Sequence, residues 1–313
     1  MYQFLAAKAA TETDVQNDHT FQRLFCASGF TKGMVIYVNL LKRETVVVRG
    51  GGDIATGVVQ KFYRAGFNVL ILETEKPTAI RRTVALCEAV YDSVSTVEDI
   101  SCHKITRMEE AKACWEKGVV PLIVDPDGTS IAEIKPEAVI DAILAKRNLG
   151  TNRSMADITI ALGPGFTAGE DVDAVIETKR GHDLGRMILK GQAKPNTGIP
   201  GDIAGESLRR VVYSPAAGEV KHKKQIGSIV KAGEVLFQIN GTDIKPVEVR
   251  APIDGLLRGL ISDGLLISEN TKAADIDPRK DINWRCISDK ARCVGGAALE
   301  AYFYLKSTKE NRK

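Results

Sequence analysis

From Glu44 onward the chain alternates short apolar runs with segments whose apolar residues recur at helical spacing. Thr45–Val48 is a β-branched run, as in strands buried on both faces of a parallel sheet. Glycines follow; then Ile54, Val58, Phe62 and Ala65 line one helical face, and Gly66 stands where a helix C-terminus takes its glycine. Phe67–Leu72 is the next strand, which completes a strand–loop–helix–strand unit with a right-handed crossover. The same alternation predicts helices over Pro77–Val90, Arg107–Lys117 and Pro136–Lys146, and strands over Val119–Val124 and Asp157–Leu162. Proline in the first turn supports two of those helices, and Gly118 closes the third. Strands alternating with helices of that length imply an α/β fold, a Rossmann-like parallel sheet with helices.

Residues 1–42 depart from this pattern, and Thr11–His19 is polar and acidic. They read as a poorly ordered N-terminal extension, or as sequence upstream of the true start. The Rossmann-like nucleotide-binding domain is placed at 43–180. Residues 181–210, rich in Gly, Pro, Asn and Asp, read as a functional loop or linker. Residues 211–275 are β-rich and carry an internal repeat. Pro215–Gly218 matches Pro252–Gly255, Gly227 matches Gly264, and Val230 matches Ile267, all at one constant offset. Two related half-motifs of short strands imply two interlocked sheets. Residues 276–313 supply a C-terminal helix over Ala291–Leu305, which packs back on the α/β domain, and a charged tail.

A chain of 313 residues is long enough for about two domains. With 44% hydrophobic and 27% charged residues it is globular, and wholesale disorder is excluded. A net charge of +3, spread along the chain, argues against a nucleic-acid partner. The six cysteines form no CxxC pair and no zinc-like spacing with the four histidines, so no metal site is expected and a reducing compartment fits. No apolar run approaches the ~20 residues of a membrane span. The expected location is the cytoplasm, with no membrane partner; a homo-oligomer is left open.

The chemistry concentrates at Gly50-Gly51-Gly52-Asp53-Ile54-Ala55-Thr56-Gly57, between the first strand and its helix. The pattern fits G-x-G-x-x-A: Gly50 for the tight turn, Gly52 for close approach of a phosphate, Ala55 for helix–strand packing. The helix N-terminus beyond it offers free N–H groups and partial positive charge. Gly50, Gly51, Gly52, Asp53, Ile54, Ala55 and Thr56 are therefore the candidate cofactor-binding residues. Asp53 reads as a helix cap. Glu73, at the end of the second strand, stands about where a carboxylate meets a ribose hydroxyl. Arg81 and Arg82 serve either a second phosphate or a solvated helix face. A second ligand loop is placed at Gly163 and Gly165, which leave a strand end, with His182, Arg186 and Asn196 from the irregular segment. No catalytic residue is assigned, and whether the chain is an enzyme stays open.

Ser214–Val220, Lys231–Leu236 and Ala251–Gly255 resemble biotinyl and lipoyl carrier domains, which implies a C-terminal barrel-sandwich β module. Lys245, near the tip of the corresponding hairpin, lacks flanking methionines and precedes a proline, so covalent biotin or lipoate is not expected. From about Glu44 to Tyr302 the chain resembles the accessory proteins of selenium-dependent molybdenum hydroxylases, the YqeB type, distantly XdhC/CoxI-like. Arg49–Gly57, Glu73–Arg82, Gly163–Phe166, Glu177–Arg186, Pro195–Gly198 and Asp275–Arg279 carry that resemblance. It implies an accessory or maturation role for a molybdenum hydroxylase, in cofactor maturation or insertion. The implied partners are that enzyme or its cofactor-synthesis machinery. The loop leaves open NAD(P) or a molybdopterin dinucleotide as cofactor, and the alternative function is an NAD(P)-dependent oxidoreductase.

Overall fold

The structure, a computed structural model, describes residues 43–199, 201–241 and 245–311. The expectations for residues 1–42 lie outside the described residues. The first half runs β1 (Thr45–Arg49), α1 (Asp53–Arg64), β2 (Asn68–Glu73), α2 (Ala89–Asp92), β3 (Val94–Val97), β4 (Ile100–Ile105), α3 (Glu110–Glu116), β5 (Val120–Val124), α4 (Ser130–Ile134), β6 (Ala138–Asp141) and β7 (Ile158–Leu162). Short strands follow: β8 (Thr167–Ala168), β9 (Ala174–Ile176), β10 (Met187–Ile188) and β11 (Gly191–Gln192). The later strands are β12 (Val211–Tyr213), β13 (Gly218–His222), β14 (Ile229–Val230), β15 (Val235–Asn240), β16 (Val247–Arg250), β17 (Gly255–Leu260), β18 (Leu266–Ile267) and β19 (Lys272–Asp277). Helix α5 (Asp289–Glu310) ends the fold.

Nine strands form one sheet in the order β10-β9-β7-β6-β1-β2-β5-β4-β3. The interior strands are parallel, but β3 against β4 and β10 against β9 are antiparallel. Alternate residues of β1 face opposite layers. Val46 and Val48 join α1 and α5 on one side, while Val47 joins the layer of α3 and α4 on the other. Burial of both faces is why Val46–Val48 reads as an unbroken apolar run.

The expected fold class, a Rossmann-like parallel sheet joined to a biotinyl/lipoyl-like module, is corrected here. The large sheet is mixed, with an antiparallel strand at each edge, and two of the helices meant to cover it are absent. Pro136–Lys146 is not a helix: Ala138–Asp141 is strand β6, wholly buried between β1 and β7. A short apolar run behind a proline fits a buried strand and a helix equally well until neighbours decide. Pro77–Val90 is also not a helix but two 3-10 turns leading into α2. There the Cys87 amide donates to Gly51 O at 2.9 Å and Arg82 Nε to Leu260 O at 2.8 Å, so tertiary bonds override local propensity.

The later strands form two antiparallel four-stranded sheets, β12-β19-β17-β14 and β16-β15-β13-β18, around one apolar cluster. The sequence repeat appears in their registers. Gly218 of the first repeat pairs with Ile267 of the second, and Val230 of the first with Gly255 of the second. Each half-motif thus lends its short second strand, β14 or β18, to the other's sheet. Ile80 joins this cluster from the other lobe, and Leu260 N donates to Ile80 O at 2.7 Å, so the lobes share a seam. No helix among the described residues is long and apolar enough to cross a membrane.

Candidate functional site

A cleft of about 700 Å³ opens at the C-terminal ends of β1, β2, β5 and β6. The chain leaves β1 for β2 on one side, while β6 lies on the other. Such a switch in strand order is where ligands sit in open α/β sheets. Gly52, Asp53, Ile54 and Ala55 form one wall, Glu73 and Thr74 another, and Lys272 closes it from the β19 lobe.

The glycine loop is only partly open. Gly50, at φ +97°, fits because a Cβ there would stand 3.0 Å from Ala142 O, and its amide already donates to Leu72 O. Gly51 N donates to Glu73 Oε1 at 2.9 Å, and Thr74 N to Glu73 Oε2 at 2.6 Å. Thr56 is buried: its hydroxyl donates to Gly52 O and accepts from Leu86 N, which ties loop to turn. Three expectations are therefore corrected. Glu73 does not reach out to a ribose but stoppers the loop, Gly51 has no free amide, and Thr56 faces the protein.

Gly52, Ile54 and Ala55 remain candidates. Gly52 caps α1 in extended conformation, and a Cβ built on it meets nothing within 4 Å. The amides of Asp53, Ile54 and Ala55 donate to no acceptor among the described residues, as the first turn of a helix leaves them. Asp53 is not the cap; no side chain bonds the N-terminus, and Asp53 faces Arg81 at 3.8 Å. Arg82 instead holds Leu260 O and Glu88, so it joins the lobes.

Burial raises the Glu73 carboxyl above the ordinary carboxylate range, against the two amides that favour its anion. An acid whose folded pKa is raised destabilises the fold once pH exceeds its unfolded value, ~4.3, and not below it. Glu73→Gln should therefore gain stability relative to wild type as pH rises from 4 to 7. Urea unfolding across that range measures it, and a difference independent of pH would refute this placement of the carboxylate.

Sequence reasoning missed Lys272 and Arg49 as cleft residues. Arg49 is almost fully buried; it donates to Thr151 Oγ1, to Pro126 O at 2.8 Å and to Leu149 O at 3.4 Å. Thr151 in turn donates to Asp141 Oδ2 at 2.6 Å. Arg49 therefore fixes the loops that floor the cleft. Lys272 enters from β19, far downstream of α1, where it opens the run Lys272-Ala273-Ala274-Asp275-Ile276-Asp277, and nothing in that run signals a cleft lysine.

The second predicted loop does not join the cleft. A Cβ on Gly163 would meet Thr178 Oγ1 at 2.6 Å, and one on Gly165 would meet the Arg147 backbone, so both glycines serve packing. His182 and Asn196 are exposed. Arg186 pairs with Asp183 at 3.5 Å beside a separate depression of about 360 Å³. The five residues are thus not brought together with the glycine loop.

No protein-family model matches the chain. Among solved structures it aligns with the ectoine utilization protein EutE (DoeB) from Ruegeria pomeroyi, 11% identical, over 75% of this chain and 85% of that one, at TM-score 0.24. It also aligns with a succinylglutamatedesuccinylase/aspartoacylase from Rhodobacter sphaeroides, 13% identical, over 77% and 86%, at TM-score 0.26. Overlaps this shallow transfer no activity. In sequence the chain is 49% identical over 273 residues to the uncharacterized protein YqeB of Escherichia coli (strain K12), across 85% of this chain and 50% of that protein. It spans about half the length of the curated relative it matches.

The functional expectation, a dinucleotide-binding maturation factor for a molybdenum enzyme or an NAD(P)-dependent oxidoreductase, is corrected at the loop itself, whose residues fit a dinucleotide poorly. Its pyrophosphate needs the loop amides, yet those of Gly50 and Gly51 are taken, and the Glu73 carboxylate stands beside them.

Proposed function

We propose that the chain is a YqeB-type protein that binds a small organic ligand in the cleft between its lobes, with an anionic group of the ligand at the α1 N-terminus. The observation that supports this is the convergence of free amides at Asp53, Ile54 and Ala55 with the Lys272 ammonium on one cleft. Free helix N–H groups and a facing ammonium both favour negative charge. The apolar part of the ligand lies against Ile54, Leu72, Ile80 and Ile143. Glu73 limits how much negative charge the loop side accepts.

Thermal unfolding against a panel of small carboxylates and phosphate esters tests this reading. A ligand at a hundred times its Kd adds ~2.7 kcal/mol, which raises Tm by roughly 5 °C for a protein of this size. Gly52→Phe supplies the control, since its side chain enters open space and fills the cleft with the fold intact. The account predicts a shift in wild type that Gly52→Phe abolishes. No shift with any member, or an equal shift in both proteins, would defeat it.

A further inference from the structure

Six charged side chains line the cleft, three acids and three bases: Asp53, Glu73 and Asp125 against Arg49, Lys146 and Lys272. A lining balanced in this way suits a ligand that carries both signs better than one that is only an anion. Most of the six are already engaged or open to water. Arg49 is held by Thr151, Pro126 and Leu149, and Lys146 and Lys272 are exposed. Asp53 faces Arg81 at 3.8 Å. Asp125 accepts from Gly128 N, Thr129 N, Thr129 Oγ1 and Ser130 N, which fills the capacity of a carboxylate.

Glu73 is the exception. It is largely withdrawn from water, and its bonds among the described residues are one backbone amide on each oxygen, Gly51 N at 2.9 Å and Thr74 N at 2.6 Å. No lysine or arginine among the described residues pairs with it. Half of its lone-pair sites therefore remain open, on a side chain that borders the cleft.

A withdrawn carboxylate bonded only to neutral donors is under-compensated, because the attraction that offsets its desolvation needs a cation. Burial accordingly holds its carboxyl above the ordinary range. We propose that Glu73 receives an ammonium group of the ligand, so that the ligand is a small zwitterion of the amino-acid kind. The inference rests on the reading of the cleft as a ligand site and adds the ligand's second charge. An ammonium brings three donors and one positive charge, and its charge-assisted bonds to the open lone pairs are stronger than those of the two amides. The spacing agrees. Gly51, whose amide bonds Glu73, stands two residues before Asp53, and consecutive Cα atoms are ~3.8 Å apart, so the carboxylate and the first free amide of α1 lie within roughly 11 Å. One small molecule with an ammonium and an acid group a few bonds apart reaches both.

Calorimetric titration of the full chain with two matched pairs tests the assignment: leucine against 4-methylpentanoate, and 6-aminohexanoate against hexanoate. Each pair differs only in the ammonium. In at least one pair the zwitterion should bind about tenfold more tightly than its partner, a difference of ~1.4 kcal/mol. Glu73→Gln keeps the shape and removes the charge. It should cut that preference to about threefold or less and leave the affinity of the plain carboxylate within about twofold. If the Glu73→Gln protein does not fold, the wild-type comparison decides alone. Equal affinities within both pairs overturn the zwitterion and spare the cleft. So does a Glu73→Gln protein that weakens both partners alike, because Glu73 then only shapes the loop. No binding by any of the four overturns the inference too, and the thermal panel then judges the cleft separately.

Discussion

Gly295→Leu should leave the protein unfolded at room temperature, with Gly57→Leu close behind. The two glycines are where α1 and α5 cross, and the backbones touch there. A Cβ at 295 would stand 2.3 Å from Gly57 O, and one at 57 would stand 2.4 Å from Ala291 O. Backbone atoms in a packed helix pair cannot step aside, so the helices must separate. That exposes Val294, Ala298, Ala301 and Tyr302, all in the main core. Overpacking alone costs ~1–3 kcal/mol, and lost burial of several such side chains adds ~1.5–3 kcal/mol each, against a total stability of ~5–15 kcal/mol. Gly296→Ala is the control. Its Cβ meets nothing within 4 Å, and alanine should gain ~1 kcal/mol in a helix interior. Circular dichroism with urea unfolding reads both outcomes; a Gly295→Leu protein with the wild-type midpoint would show that the crossing is looser than described.

The second large effect lies at the seam. Asp275 is buried and accepts from Arg210 and from Arg258, whose Nε stands 2.9 Å away. Arg258 continues to Asp277 at 2.7 Å, and Arg279 bonds the same carboxylate at 2.8 Å. Removing one member of a buried ion network strands the others, at ~3–5 kcal/mol. Asp275→Ala should cost that much in chemical denaturation. It should also loosen the segment that Arg210 holds through Gly201 O at 3.1 Å, so residues 201–209 become the first site of protease cleavage. Unchanged denaturation and unchanged cleavage would mean that the network contributes nothing net.

What the sequence disclosed follows from how local each cause was. Val46–Val48 announced a doubly buried strand, because burial on both faces leaves no polar position. The repeat of Gly218 and Gly255 announced paired half-motifs, because each glycine begins a strand whose partner lies a Cβ's width away. Where neighbours decided, reading by period failed. Ala138–Asp141 became a strand because β1 and β7 flank it, and residues 77–90 uncoiled because Gly51 and Leu260 take their hydrogen bonds. The site divided along the same line. Gly52, Ile54 and Ala55 were found by their place at a helix start. The turn of Glu73 back onto Gly51, and the arrival of Lys272 from the other lobe, depend on tertiary geometry that no local pattern encodes.

The central claim, that the first turn of α1 is the seat of an anionic ligand, can be read amide by amide. Amide ¹H–¹⁵N spectra of the deuterated protein, recorded while the best ligand from the thermal panel is added, report on Asp53, Ile54 and Ala55 individually. The account predicts saturable shifts at those three amides and none at Gly163, Gly165 or His182. Static signals at 53–55 while a bound ligand moves the 163–196 resonances would contradict it.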